Sequence, residues 1–140
     1  MEIKIKTSLF VVLIVSLSLS KMGCESENVN DRGKLMKSWT RSYEEETAGM
    51  MMFRPSDFKE FAPSRYRQVI QFENNNKCVY SVLAPNDAHF MAAGTWYFNE
   101  TEKNIQIRNA ENEILYDYKV VILEKNKLVV TNWFPINFVL

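Results

Sequence analysis

From residue 38 onward, apolar and polar side chains alternate in short runs separated by clusters of Asn, Asp, Gly and Pro. A period of two marks a half-buried strand. "SWTRSYEEE" (38–46) places Trp39, Arg41 and Tyr43 on one face. "RYRQVIQFE" (65–73) sets Tyr66, Gln68, Ile70 and Phe72 against Arg65, Arg67, Gln71 and Glu73. "NNNK" reads as a tight turn, because Asn tolerates positive φ, and it leads into "KCVYSVLA" (77–84) to complete a hairpin. "GTWYFNE" (94–100) and "KNIQIRN" (103–109) form a second hairpin around Thr101–Glu102. "EILYDYKVVILE" (113–124) and "KLVVTNWF" (127–134) form a third around Lys125–Asn126.

Two stretches break the alternation. Residues 47–64 carry Gly49, Pro55 and Pro63 and read as irregular chain. Within them "PSDFKEF" predicts one helical turn, capped by Ser56 or Asp57, with Phe58 and Phe61 on one side. "PNDAHFMA" (85–92) reads as a loop. Short strands joined by polar turns predict an all-β antiparallel sandwich or barrel. Consecutive hairpins favour an up-and-down meander closing into a small barrel of about seven or eight strands. In "GTWYF" Trp96 and Phe98 share a face, and Gly94 permits a close approach at the strand's start. Trp96 is therefore expected in the core.

The first residues follow a different pattern. Lys4 and Lys6 precede an unbroken apolar stretch, "LFVVLIV" (9–15), that continues to Leu19. This is short of the ~20 residues of a membrane-spanning helix and matches the ~7–15 of an export signal. Lys21 and Met22 stand in the way of an ordinary small-residue cleavage site, which makes that reading a poor fit. Gly23–Cys24 after such a core resembles the lipobox of bacterial lipoproteins. That resemblance implies cleavage after Gly23, a lipid on Cys24, and a place on the periplasmic face or cell surface of a bacterial envelope. It divides the chain into a signal peptide (1–23), a flexible polar tether (24–34) and a β-barrel domain (35–140). Glu25, Glu27 and Asp31 resemble the acidic patch that marks some lipoproteins for the cell surface, or else are a solvated linker. The alternative is a secreted protein with a Cys24–Cys78 disulfide. With Cys24 lipidated, Cys78 has no partner and is expected to act as a small buried hydrophobe.

Charge narrows the partners. Setting aside Lys4, Lys6, Lys21 and Glu2 from 17 basic and 17 acidic residues leaves an acidic excess of two. There is no basic stripe for nucleic acid. The expected partners are the membrane, reached through the lipid, and a small apolar ligand or an envelope protein.

The tryptophan strand "LMKSWTRSY", the hairpin "YRQVIQFENNNKCVYSV", "GTWYF" with "IQI", and "YKVVILEKNKLVV" together resemble the small lipocalin-like domains of bacterial lipoproteins. The likeness lies in the strand pattern over about residues 35 to 134 and carries no ligand residues with it. An eight-stranded barrel encloses either packed side chains or one small ligand. Trp39, Tyr66, Tyr80, Trp96, Tyr116 and Tyr118 are the candidates to line such a cavity. Many large aromatics favour a filled interior, although buried hydroxyls need partners.

Other residues offer less. Met50, Met51 and Met52 beside Phe53 form either a lid over a ligand or an extra strand plugging the barrel. His89, the single histidine, has no activated nucleophile in sequence reach and reads as a rim residue. Glu44–Glu46 lacks the spacing of a calcium loop and reads as a solvated strand end. Asn99–Thr101 matches a glycosylation sequon, which matters only in a eukaryotic source. No catalytic, cofactor or metal site is read. The expected function is a non-catalytic lipoprotein that binds an apolar or amphipathic molecule or serves as an envelope interaction module. An enzyme without a recognisable motif is the remaining alternative.

Overall fold

The computed structural model describes residues 30–132. A short helix, α1 (Asp31–Leu35), precedes eight antiparallel strands. These are β1 (Ser38–Arg41), β2 (Met51–Pro55), β3 (Val69–Phe72), β4 (Lys77–Leu83), β5 (His89–Asn99), β6 (Asn104–Arg108), β7 (Ile114–Glu124) and β8 (Lys127–Asn132). Together they close into one barrel.

From β3 to β8 every strand pairs with its sequence neighbour, as the hairpins require. The closing seam differs: β1 lies between β2 and β3, and β2 pairs with β8. β2 and β3 therefore run in the same direction, and residues 56–68 cross the outside of β1 to join them. Ser56 fastens this crossing, its Oγ 2.7 Å from Ser38 Oγ and 2.8 Å from Thr40 Oγ1. Thr40 points away from Trp39, yet the crossing leaves it only 6% exposed.

The hairpin turns follow local chemistry. Asn75 and Asn76 both take positive φ, 56° and 59°, and Lys77 N–H donates to Asn74 O at 3.2 Å. That is the type I′ geometry whose twist suits a two-residue hairpin. Asn99 Oδ1 accepts from the N–H groups of Thr101 and Glu102 (3.1 and 3.0 Å), so the sequon asparagine builds the β5–β6 turn.

Several expected boundaries move. β1 stops at Arg41, because residues Tyr43–Glu45 form a 3₁₀ turn instead of continuing the strand to 46. The methionine run forms β2. In place of the helical turn expected at 55–61 the chain makes a β-turn, Phe58 N–H donating to Pro55 O at 2.9 Å, and then runs irregularly. β5 begins at His89, inside the stretch expected as loop. The ladder of β3 begins only at Val69.

One end of the barrel is closed by α1. Asn30 caps it by accepting from Gly33 N–H at 2.8 Å, and Asp31 suits the positive end of the helix dipole. Five residues cannot hold a helix alone, so tertiary contacts hold this one. Leu35 is fully buried, and its carbonyl accepts from Trp39 Nε1 at 2.9 Å. Arg32 lies 4.2 Å above the Trp96 ring and donates to Asn76 Oδ1 at 2.6 Å. Lys103 pairs with Asp31 at 2.5 Å. α1 thus occupies the last part of the stretch expected as tether. Residues 24–29, with Cys24, and the signal segment through Gly23 lie outside the described residues, as do Trp133 and Phe134.

Trp96 is 2% exposed and packs against Phe72 at 4.8 Å between centroids, with Nε1 donating to Glu73 O at 3.0 Å. Two residues earlier, a Cβ on Gly94 would stand 2.2 Å from Arg108 O and 2.9 Å from the Tyr80 ring. Only glycine fits there. Cys78 is 1% exposed in the same core, and burial pushes its thiol up to about 11.

The acidic run fastens the seam. Arg67, Arg54 and Arg41 each grip a different carboxylate, Glu44, Glu45 and Glu46, with shortest contacts of 2.8, 2.6 and 2.6 Å. The Ser42 hydroxyl adds a 2.8 Å bond to Glu45.

Two outcomes follow from this architecture. Trp96→Ala removes a ring at full burial, typically costing ~3–5 kcal/mol of the ~5–15 kcal/mol that holds a domain together. Urea unfolding should therefore show a marginal or absent native baseline; a midpoint close to the parent's would contradict the packing role. The second concerns acid. Hydrogen bonds from Arg67 and Arg54 hold Glu44 and Glu45 at about 2, below the ordinary 4.5. A depressed carboxylate contributes stability that is complete above about 4.5 and is lost as pH falls towards 2. Urea midpoints should drop across that window, and the drop should shrink in Glu44→Gln/Glu45→Gln.

Candidate functional site

Opposite α1, the strands end unevenly. β5 is eleven residues long, whereas β6 beside it has five and ends at Arg108, level with the start of β7 at Ile114, so the first part of β5 runs past both. A register shift at Ile107/Arg108 interrupts the β6–β7 ladder just before Arg108 pairs with Ile114. Residues 89–93 of β5 consequently pair only with β4. The resulting gap in the wall opens into a cavity of about 520 Å³ at the mouth.

Tyr80 and Val82 of β4, Phe90 and Ala92 of β5, and Leu115 and Tyr116 of β7 supply its walls. Tyr66, at the end of the crossing segment, joins them with Ser81, Leu83, Asn109 and Glu111. Ala92, the register partner of Tyr80, adds only a small side chain to the wall. Phe90 and Leu115 remain 52% and 40% exposed. Apolar side chains grouped at a concave mouth mark a binding surface more often than scattered ones do.

Polar groups in the cavity are fixed from behind. Tyr66 Oη donates to Ser81 O at 2.9 Å and lies 3.1 Å from Ser81 Oγ, which itself accepts from Val69 N–H at 2.8 Å. Tyr116 stacks on Tyr118 with centroids 5.6 Å apart and planes within 15°. Below them, Gln68 Nε2 donates to Tyr118 Oη at 3.0 Å. Burial, and then the neighbouring Tyr66, push Tyr116 up to about 12. Burial likewise holds Tyr118 well above its ordinary range and raises Tyr80. All three phenols stay neutral at physiological pH.

Of the six aromatic residues expected to line a cavity, the structure brings Tyr66, Tyr80 and Tyr116 together there. Trp39 and Trp96 do not line it; both rings are buried towards the α1 end, with their N–H groups spent on backbone carbonyls. Tyr118 also does not, because it forms the floor beneath Tyr116. Phe90, Ala92 and Leu115 were not among the expected lining residues. His89 is exposed at the start of β5, edge-on to Tyr66 with centroids 6.1 Å apart. Among the described residues no group of three or more His, Cys, Asp or Glu is arranged to hold a metal ion. Met52 is buried rather than poised over the mouth, while Met50 and Met51 edge a separate recess of about 410 Å³ beside Arg41 and Asn132.

No protein-family model, curated protein or solved structure matches the chain.

The floor of the cavity predicts an alkaline limit to stability. Tyr116 ionises near 12 in the fold against an ordinary 10, and Cys78 near 11 against 9. The unfolded chain loses these protons first, so stability is complete below about 9 and falls as pH rises towards 12. Phenolate absorbance should show a late-ionising class of tyrosines that is diminished in Tyr116→Phe. Ionisation of every tyrosine together near 10 in the folded protein would contradict the buried floor.

Proposed function

We propose that this chain is an exported, lipid-anchored envelope protein that binds a small apolar or amphipathic molecule at the barrel mouth without chemical conversion. The observation that carries the reading is the contrast between the two ends. One end is packed with Leu35, Trp39 and Trp96, and the other holds a cavity of about 520 Å³ edged by exposed Phe90 and Leu115. A volume of that size falls within the ~300–1,000 Å³ of small-molecule sites. The cavity walls pair no nucleophile with a base, which supports binding without chemistry.

The anchor rests on Gly23–Cys24 after the apolar core. The buried thiol of Cys78 supports it indirectly. A bridge needs Cα atoms within ~4.4–6.8 Å, and Cys24 would have to enter the packed wall to reach Cys78. α1, near which the described residues begin, lies at the closed end, and the six residues 24–29 span at most ~20 Å. A lipid on Cys24 would hold the closed end against the bilayer and direct the mouth away from it.

Protein purified from its native membrane tests both parts. Intact mass should show a chain beginning at Cys24 with a diacylglycerol adduct, and Cys24→Ser should move the protein to the soluble fraction. Solvent extraction should release a stoichiometric small molecule that is absent from Phe90→Lys. A Cys24–Cys78 bridge would instead indicate the secreted form. Extraction of no molecule would favour an interaction module.

A further inference from the structure

We infer that the mouth cavity selects cationic amphiphiles, molecules that join a hydrocarbon segment to an ammonium or other organic cation. The inference rests on the cavity being a ligand site, and adds which head group it accepts. Four aromatic rings, Tyr66, Tyr80, Phe90 and Tyr116, line one cavity. Ring faces carry negative potential and attract ammonium groups, most strongly where several rings and little water surround the charge. Glu111 is the one charged side chain among the lining residues, and its charge reaches the Tyr80 hydroxyl. A cation seated among the rings would meet this carboxylate, whereas an anionic head group would be repelled by it.

The surrounding cations do not reverse that preference. Arg41, whose charge reaches Tyr116, does not line the cavity and is held by both oxygens of Glu46 at 2.6 and 3.1 Å. Arg65 is paired with Asp87 at 2.5 Å. Arg108 points to Asn112 and to Gln106 Oε1 and does not line the cavity. Tyr66 spends its proton on the Ser81 carbonyl, so it offers no free donor to an anionic head group. Val82, Phe90 and Leu115 remain for the hydrocarbon segment.

Three water-soluble probes with one alkyl chain separate the cases: octyltrimethylammonium, octyl glucoside and octyl sulfate. Each is titrated calorimetrically, below its micelle concentration, into the full chain held in phosphatidylcholine nanodiscs, with empty nanodiscs subtracted. The cation should bind about five- to tenfold tighter than the neutral glucoside, and the sulfate should bind weakest. Glu111→Gln, an exposed substitution, should cut the cation-to-glucoside ratio about threefold or more, with the glucoside serving as the internal reference for an intact cavity. Equal binding of all three probes, or a preference for sulfate, overturns the cation assignment while the amphiphile site stands. A ratio unchanged in Glu111→Gln overturns it as well. Binding of none of the probes removes the site itself, and the inference with it.

Discussion

The barrel depends on β1 being hydrogen-bonded along both edges. β1 has four residues, yet among the described residues it is the one strand hydrogen-bonded to both β2 and β3. Without it both would be open edges offering unpaired backbone to other chains. So short a strand cannot carry a seam by ladder bonds alone. Trp39 does much of the holding: it pairs across to Pro55 and Ile70, is fully buried, and ties its indole N–H to Leu35. The crossing segment seals the outer side through Ser56 and Thr40, and the Arg–Glu forks brace its end. A single forked ion pair on a surface contributes little. Three on consecutive residues, tied to β1, β2 and the crossing segment, hold the crossing in one place.

The hairpins were legible because one face of each meets the core and the other meets water. That contrast writes a period of two into "VIQF", "KCVYS" and "NIQI", and the Asn run supplies the positive φ their turn needs. β2 was legible only as one option for the methionine run, for the opposite reason. Phe53 faces the core, while Met52 pairs with Val129 and is itself covered on the outside beside the half-buried Arg54. A strand covered on both sides reads as a plain apolar run. The start of β5 failed differently. His89, Phe90 and Met91 stand at a gap where both faces are wet, and alternation records nothing when neither side is buried.

The insertion of β1 between β2 and β3 was equally out of reach. Hairpin logic pairs neighbours, and nothing in residues 47–64 marks a crossing over the outside of β1. The cavity also lay beyond pattern reading, since it comes from a difference in strand length. β6 ends at Arg108, while β5 runs on beside β4. The aromatic residues could be named from the sequence. Which of them sit in the dry layer and which at the wet boundary is set by barrel register, which no single strand reveals.

That boundary is where stability and binding meet. Tyr80, Tyr116 and Tyr118 each place an apolar ring against the core, and Tyr116 also lines the cavity. Amphipathic rings suit such a position because the ring can be dry while the hydroxyl finds a partner or water. Tyr118 finds Gln68, and Tyr66 finds Ser81, so the floor is rigid before any ligand arrives. A preformed floor lowers the ordering cost of binding. It also means that the residues available to a ligand are the ones closing the core, so their substitution cannot change one property alone. Phe90, Leu115 and Glu111 lie above that layer, on the short-strand gap, and are free of the core. Variation in ligand preference can therefore be carried by the gap residues, while the tyrosine layer beneath them is held constant by folding.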